Sequence, residues 1–172
     1  MSIQSARLWQ CGGTAQPRQG LSAPFPCAEP FPVALLPLLL PFTAIESMIL
    51  GTGIDLASLQ RLERGAERFG ERFLARVLSA EERERLPSGS ARARFLAGRW
   101  AAKEALAKAL GTGFADGVAP DQISVLNLPS GMPAMTLKGA ALARFQAMGG
   151  RKIHLSITHD GGRAAALVVL ED

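Results

Sequence analysis

The sequence contains no tyrosine, and only two cysteines, two histidines and two tryptophans among its 172 residues. Cys11 and Cys27 lie far along the chain from His154 and His159, so no spacing resembles a zinc site or a redox pair. Two cysteines make no disulfide framework, and a reducing cytoplasm is the expected compartment. Lysine is scarce too: four of the 19 basic residues are lysine and the rest arginine. Long apolar runs are missing. The best candidate, residues 31–45, is interrupted by Pro32, Pro37 and Pro41, which would break a helix, and it is too short to span a bilayer. No membrane partner is therefore expected.

What remains is a composition of 48% hydrophobic and 20% charged residues, that of a globular protein with one core. The net charge is +4 and rests on arginine. Arginine grips planar anions such as carboxylate and phosphate, so an acidic partner or a phosphorylated ligand fits the balance. Codon bias accounts for the same excess equally well.

The chain divides into two parts. Residues 1–47 hold no lysine and many of the 11 prolines. A secretory signal is one reading of them, since Arg7 and Arg18 precede an apolar stretch, but no small-x-small cleavage site follows. The favoured reading is an extension outside the folded domain, disordered or untranslated, with organised sequence beginning abruptly at Met48. From there a single domain, residues 48–172, is expected.

Its pattern predicts a strand over 48–56, with Leu50, Ile54 and Leu56 on one face. A helix over 58–69 follows, capped by Ser58, and Ser79 with Glu82 makes a capping-box signature. A long helix is predicted over 92–110, with Phe95, Ala102, Leu106 and Ala109 at helical spacing and Gly111 as its stop. Strands over 122–127 and 134–137, a helix over 140–148, and a hairpin turning at Asp160-Gly161-Gly162 complete the chain. Helices and strands do not alternate strictly, so the expected class is α+β, an antiparallel sheet packed with helices.

Three segments carry polar groups suited to chemistry. In Gly51-Thr52-Gly53-Ile54-Asp55, both glycines and the aspartate share a strand face, which leaves room for something bulky beside a carboxylate. Taken alone, Asp55 reads as a helix cap. In the long helix, Glu104 and Lys108 are one turn apart. Locally they read as an exposed ion pair worth about 0.3–0.5 kcal/mol, or as a carboxylate for a cation beside an ammonium for a phosphate. The third segment, Ser156-Ile157-Thr158-His159-Asp160, suits a phosphate or an ordinary turn. A hydrolytic triad is discounted there, because its members would be sequence neighbours.

The order of these segments is more telling than any one of them. Gly-Ile-Asp at 53–55, Phe-Leu-Ala-Gly-Arg-Trp-Ala-Ala-Lys-Glu-Ala at 95–105, Gly-Thr-Gly at 111–113 and Ser-Ile-Thr-His at 156–159 together resemble the holo-acyl-carrier-protein synthase family of phosphopantetheinyl transferases. The resemblance runs from Met48 to about Glu171.

That resemblance implies transfer of phosphopantetheine from coenzyme A to a serine of acyl carrier protein, for fatty-acid synthesis, with release of adenosine bisphosphate. It implies Mg2+ held by Asp55 and Glu104, with Glu104 and Lys108 as the catalytic residues and Lys108 on the phosphates of coenzyme A. It assigns Arg99 and His159 to the ribose phosphate, and Gly111 and Thr112 to backbone contacts along the nucleotide. Arg61, Arg72 and Arg76 would meet the acidic carrier, and the assembly would be a homotrimer with sites between protomers. The competing reading is a basic module binding nucleic acid or an acidic protein without catalysis. It lacks stacking aromatics and leaves the Gly-Thr-Gly after the helix unexplained, so nucleic acid is not an expected partner.

Overall fold

A computed structural model describes residues 47–172. The expected extension therefore lies, for residues 1–46, outside the described residues.

The chain opens on β1 (Ile49–Ser58) and passes directly into α1 (Leu59–Phe69). Ser58 is the cap: its hydroxyl accepts from the Arg61 amide at 3.3 Å. Next come α2 (Glu71–Val77) and the single turn α3 (Ala80–Arg83). The capping box forms as the sequence implies, with Ser79 Oγ accepting from the Glu82 amide and Glu82 Oε2 from the Ser79 amide at 2.7 Å. The 19-residue α4 (Ala91–Ala109) follows, then a 3-10 turn at Pro120–Gln122, β2 (Ile123–Asn127), β3 (Pro133–Leu137), α5 (Gly139–Ala147), β4 (Lys152–Asp160) and β5 (Arg163–Glu171).

The α+β class is as expected, but the antiparallel pairing is split between two sheets. One has the order β1-β5-β4 and the other is the β2-β3 hairpin. Pairing β1 beside β5 requires the two ends of the domain to meet, and Gly53 lies opposite Val168 and Asp55 opposite Ala166.

α4 departs most from its expected form. A one-sided apolar stripe was expected, whereas Leu96, Ala97, Gly98, Ala101, Ala102, Lys103, Ala105, Leu106, Ala107 and Ala109 are all buried. The helix runs through the middle of the domain, against β1, β5, α1, α2 and β2. Its alanines let those elements approach on every side.

Lys103 and Glu82 are fully buried and paired at 2.6 Å between Nζ and Oε2. Burial pulls the Lys103 ammonium below its ordinary range, and the Glu82 charge opposes that pull. Such a pair adds little net stability, yet breaking it leaves a buried charge unmatched.

The glycines of β1 have a use other than the one their sequence suggested. Gly51 and Gly53 face α4, and a Cβ at Gly53 would overlap the Ala105 carbonyl oxygen, as one at Gly51 would overlap that of Ala109. The bulky neighbour is the helix backbone. The other face of β1 is the uncovered one, with Ile54 65% and Leu56 53% exposed.

Substituting Gly53→Ala should therefore cost about 1–3 kcal/mol or more, since neither backbone can yield cheaply. Chemical denaturation would measure it, and an unchanged midpoint would mean that the strand and helix are not held this close.

Candidate active site

The close approach of β1 and α4 has a direct chemical result: it brings Asp55 beside the Glu104–Lys108 face of the helix. Lys108 Nζ donates to Asp55 Oδ1 at 2.8 Å and to the Ile54 carbonyl oxygen at 2.9 Å. The local reading of Glu104 and Lys108 as an ion pair gives way, because Lys108 pairs with the strand carboxylate of Asp55. Glu104 is left with a carboxyl raised above its ordinary range. Burial is the main cause and the Asp55 charge the second, with Lys108 and Arg61 pulling the other way. Asp55, Lys108 and Arg61 thus all act electrostatically on Glu104.

Two carboxylates repelling each other across a partly buried gap favour a cation between them. Among the described residues no group of three or more His, Cys, Asp or Glu side chains converges. Two hard oxygen ligands nevertheless suit magnesium, which keeps several waters and takes the rest from substrate phosphate. The donor set fits that ion.

The remaining nucleotide candidates are spread along α4. Arg99 lies five residues before Glu104, about 140° around the helix. Its guanidinium turns toward β2, donating to the Val125 carbonyl at 3.2 Å and to Asn127 Oδ1 at 3.0 Å, over the Phe95 ring at 4.1 Å. His159 Nε2 lies 3.2 Å from the Arg94 carbonyl oxygen, with its ring against Gly98. Gly111 adopts a φ of +75° at the end of α4, its amide bonded to the Lys108 carbonyl at 3.0 Å. Gly111 and Thr112 line a hollow of about 550 Å³ with Arg144, whose Nε donates to the Leu110 carbonyl. Arg99 and His159 thus lie along the N-terminal half of α4, and Gly111 and Thr112 at its far end. The two groups stand roughly 18 Å apart along the axis at 1.5 Å per residue.

Arg61, Arg72 and Arg76 are exposed, on α1 and α2. Arg72 and Arg76 border a second hollow of about 630 Å³, whose apolar lining includes Phe69, Phe73, Trp100 and Phe114. The Trp100 and Phe114 rings meet at 5.7 Å. Sequence reading missed this aromatic seat, since its members are scattered from 69 to 114. Trp100, inside the segment that carries the resemblance, was the one signal available.

An antiparallel α+β domain with a carboxylate pair, an ammonium and an arginine-fringed apolar seat has the features of a phosphoryl-group transferase acting on an acidic protein. The chain belongs to the 4'-phosphopantetheinyl transferase superfamily, whose family model matches residues 51–167. Within it the chain sits among the holo-[acyl-carrier-protein] synthases. It is 48% identical over 124 residues to the enzyme of that name from Nitratidesulfovibrio vulgaris, covering 72% of this chain and 99% of the relative. It is 52% identical to that of Solidesulfovibrio magneticus over the same shares. Among solved structures, the synthase of Neisseria meningitidis is 36% identical with a TM-score of 0.66, over 73% of this chain and all of that one. The Helicobacter pylori synthase, solved in complex with coenzyme A, is 32% identical with a TM-score of 0.61, over 69% of this chain and 98% of that one.

Because its carboxyl is raised, folding penalises the charged form of Glu104 relative to the unfolded chain, chiefly through burial and then the Asp55 charge. A neutral isostere removes that penalty. Glu104→Gln is expected to melt at a higher temperature than the parent in metal-free buffer, by calorimetry; a lower midpoint would contradict a repulsive carboxylate pair.

Proposed function

We propose that this chain transfers the phosphopantetheinyl group of coenzyme A to a serine hydroxyl of acyl carrier protein, through a site built on Asp55, Glu104 and Lys108. The serine oxygen forms a bond to the phosphorus that carries the pantetheine. The bond from that phosphorus to the bridging oxygen breaks, and adenosine bisphosphate leaves. Support comes from one observation above all: Asp55 and Lys108 are bonded, with Glu104 beside them, in a chain that matches holo-[acyl-carrier-protein] synthases over nearly their whole length.

Asp55 and Glu104 would hold Mg2+. An ion bound there would supply positive charge against the negative charge gathering on the phosphate oxygens. Lys108, half exposed on its side of the helix, reaches the same oxygens and fixes the phosphate in line. The serine proton passes to the Glu104 carboxylate or to water in the site. Gly111 and Thr112 would follow the nucleotide, and Arg99 with His159 would take its ribose phosphate. Since Arg99 and His159 face away from the carboxylate pair within one protomer, they would serve a neighbour's substrate.

A second copy has a surface to meet. The outer face of the three-stranded sheet carries Ile54, Leu56 and Leu167, the last 45% exposed, with Ile54 opposite Leu167 in register. Covering such a face by two further copies gives the homotrimer that the family resemblance implies. The carrier would dock on Arg61, Arg72 and Arg76, with an apolar side chain of its own in the Phe73–Trp100–Phe114 hollow. Residues 48–172 make up the transferase domain in this reading, working in the cytoplasm on carriers of fatty-acid synthesis.

Incubation with apo-carrier, coenzyme A and magnesium, followed by carrier mass, tests the reaction. Asp55→Asn and Glu104→Gln should each abolish the mass gain while keeping the fold, and full activity in either would remove the metal pair. Arg72→Glu should raise the carrier KM without weakening coenzyme A binding. Separately, Ile54→Lys with Leu167→Lys should give a monomer by sedimentation; a trimer surviving both charges would place the interface elsewhere.

A further inference from the structure

Lys103 lies in sequence between Trp100 of the apolar hollow and Glu104 of the carboxylate pair, yet neither explains why an ammonium is buried there. Its surroundings do. Nζ donates to three acceptors on three different elements: the Val77 carbonyl at the end of α2 at 2.8 Å, Glu82 Oε2 on α3 at 2.6 Å, and the Pro120 carbonyl at 2.8 Å. All three donors of the ammonium are used, with no water needed. Glu82 is itself fully committed. Its Oε2 also accepts from the Ser79 amide at 2.7 Å, and its Oε1 accepts from the Val125 amide on β2 at 2.8 Å.

Two of the three acceptors belong to the hollow bordered by Arg72 and Arg76. Val77 and Pro120 line it, and Trp100 forms its α4 side. Lys103 is one helical turn beyond Trp100 and next to Glu104, so the same ammonium that pulls Val77 and Pro120 inward does so from the helix that carries both neighbours. A stability role alone leaves this convergence unexplained, since apolar side chains of the same volume commonly do as well or better. Directional hydrogen bonds add a fixed distance and bearing.

We propose that Lys103, tied by Glu82, is a positioning residue that sets α2 and the 3-10 turn against α4, and so holds the carrier seat in shape and in register with Glu104. This rests on the reading of the Phe73–Trp100–Phe114 hollow as the carrier seat. Arg72, Arg76 and Phe73 of α2 and Trp100 of α4 then face a docked carrier as one rigid surface. Lys103 touches neither substrate.

Lys103→Met is the direct variant, but it strands the Glu82 carboxylate in the core. E82Q/K103M removes both charges and leaves an amide oxygen to accept from β2. For both variants the measurements are the melting temperature, the Kd for coenzyme A by calorimetry without carrier, and KM and kcat for apo-carrier. The folded double variant should bind coenzyme A within about twofold of the parent, while its carrier KM rises roughly tenfold or more, the scale of loss that a displaced docking surface gives. General loosening would instead weaken both substrates alike. The inference is overturned by an unchanged carrier KM in the folded double variant, or by equal changes for carrier and coenzyme A. Parent protein that leaves carrier mass unchanged would sink the functional reading itself. Parent transfer without the split in the variant removes only the role of Lys103.

Discussion

The structure turns on a backbone contact. β1 lies against α4 with no side chain between them at Gly51 and Gly53, and the strand comes down on the carbonyls of Ala105 and Ala109. Any other residue at those points would push the strand out by a side chain's width. Asp55, two residues further along the same face, would then miss Lys108, to which it now bonds at 2.8 Å. The site thus depends on two hydrogens standing where methyl groups would be. Its polar atoms are arranged by packing before any ligand arrives.

The same closeness accounts for the composition of α4. A helix enclosed by a sheet, two helices and a second small sheet cannot carry bulky side chains on all sides, so alanine and glycine fill nearly half of its length. The larger groups are those with work to do. Lys103 binds three elements, Glu104 and Lys108 face β1, Arg99 reaches β2, and Trp100 meets Phe114. One helix therefore serves as core, as floor of the Phe73–Trp100–Phe114 hollow and as wall of the carboxylate site. A shift along or around its axis would disturb all three together.

Electrostatics distributes these roles. Arg61 stands near enough to lower the Glu104 carboxyl, while Arg72 and Arg76 border the apolar hollow on α2. Positive charge thus extends from the carboxylate site to the surface that would meet an acidic partner. Attraction of that kind steers encounter and weakens with salt. The apolar lining gives grip where charge alone gives approach.

Much of this could be read from the chain. The Ser58 cap, the Ser79–Glu82 capping box, the stop at Gly111 and the closing hairpin are local, and local chemistry decides them. The order of Gly-Ile-Asp, the Lys-Glu-Ala segment, Gly-Thr-Gly and Ser-Ile-Thr-His pointed to the family, and the match over 51–167 places the chain in its superfamily. Long-range pairing was out of reach. Sequence spacing made Glu104 and Lys108 partners, because it knows only neighbours on one helix. The fold gave Lys108 to Asp55, 53 residues away. It gave Glu82 to Lys103 and gathered Phe73, Trp100 and Phe114 into one hollow. Residue type and order determined which groups were available; packing decided which of them would meet, and for Asp55 and Lys108 that distance is set by what is absent at Gly51 and Gly53.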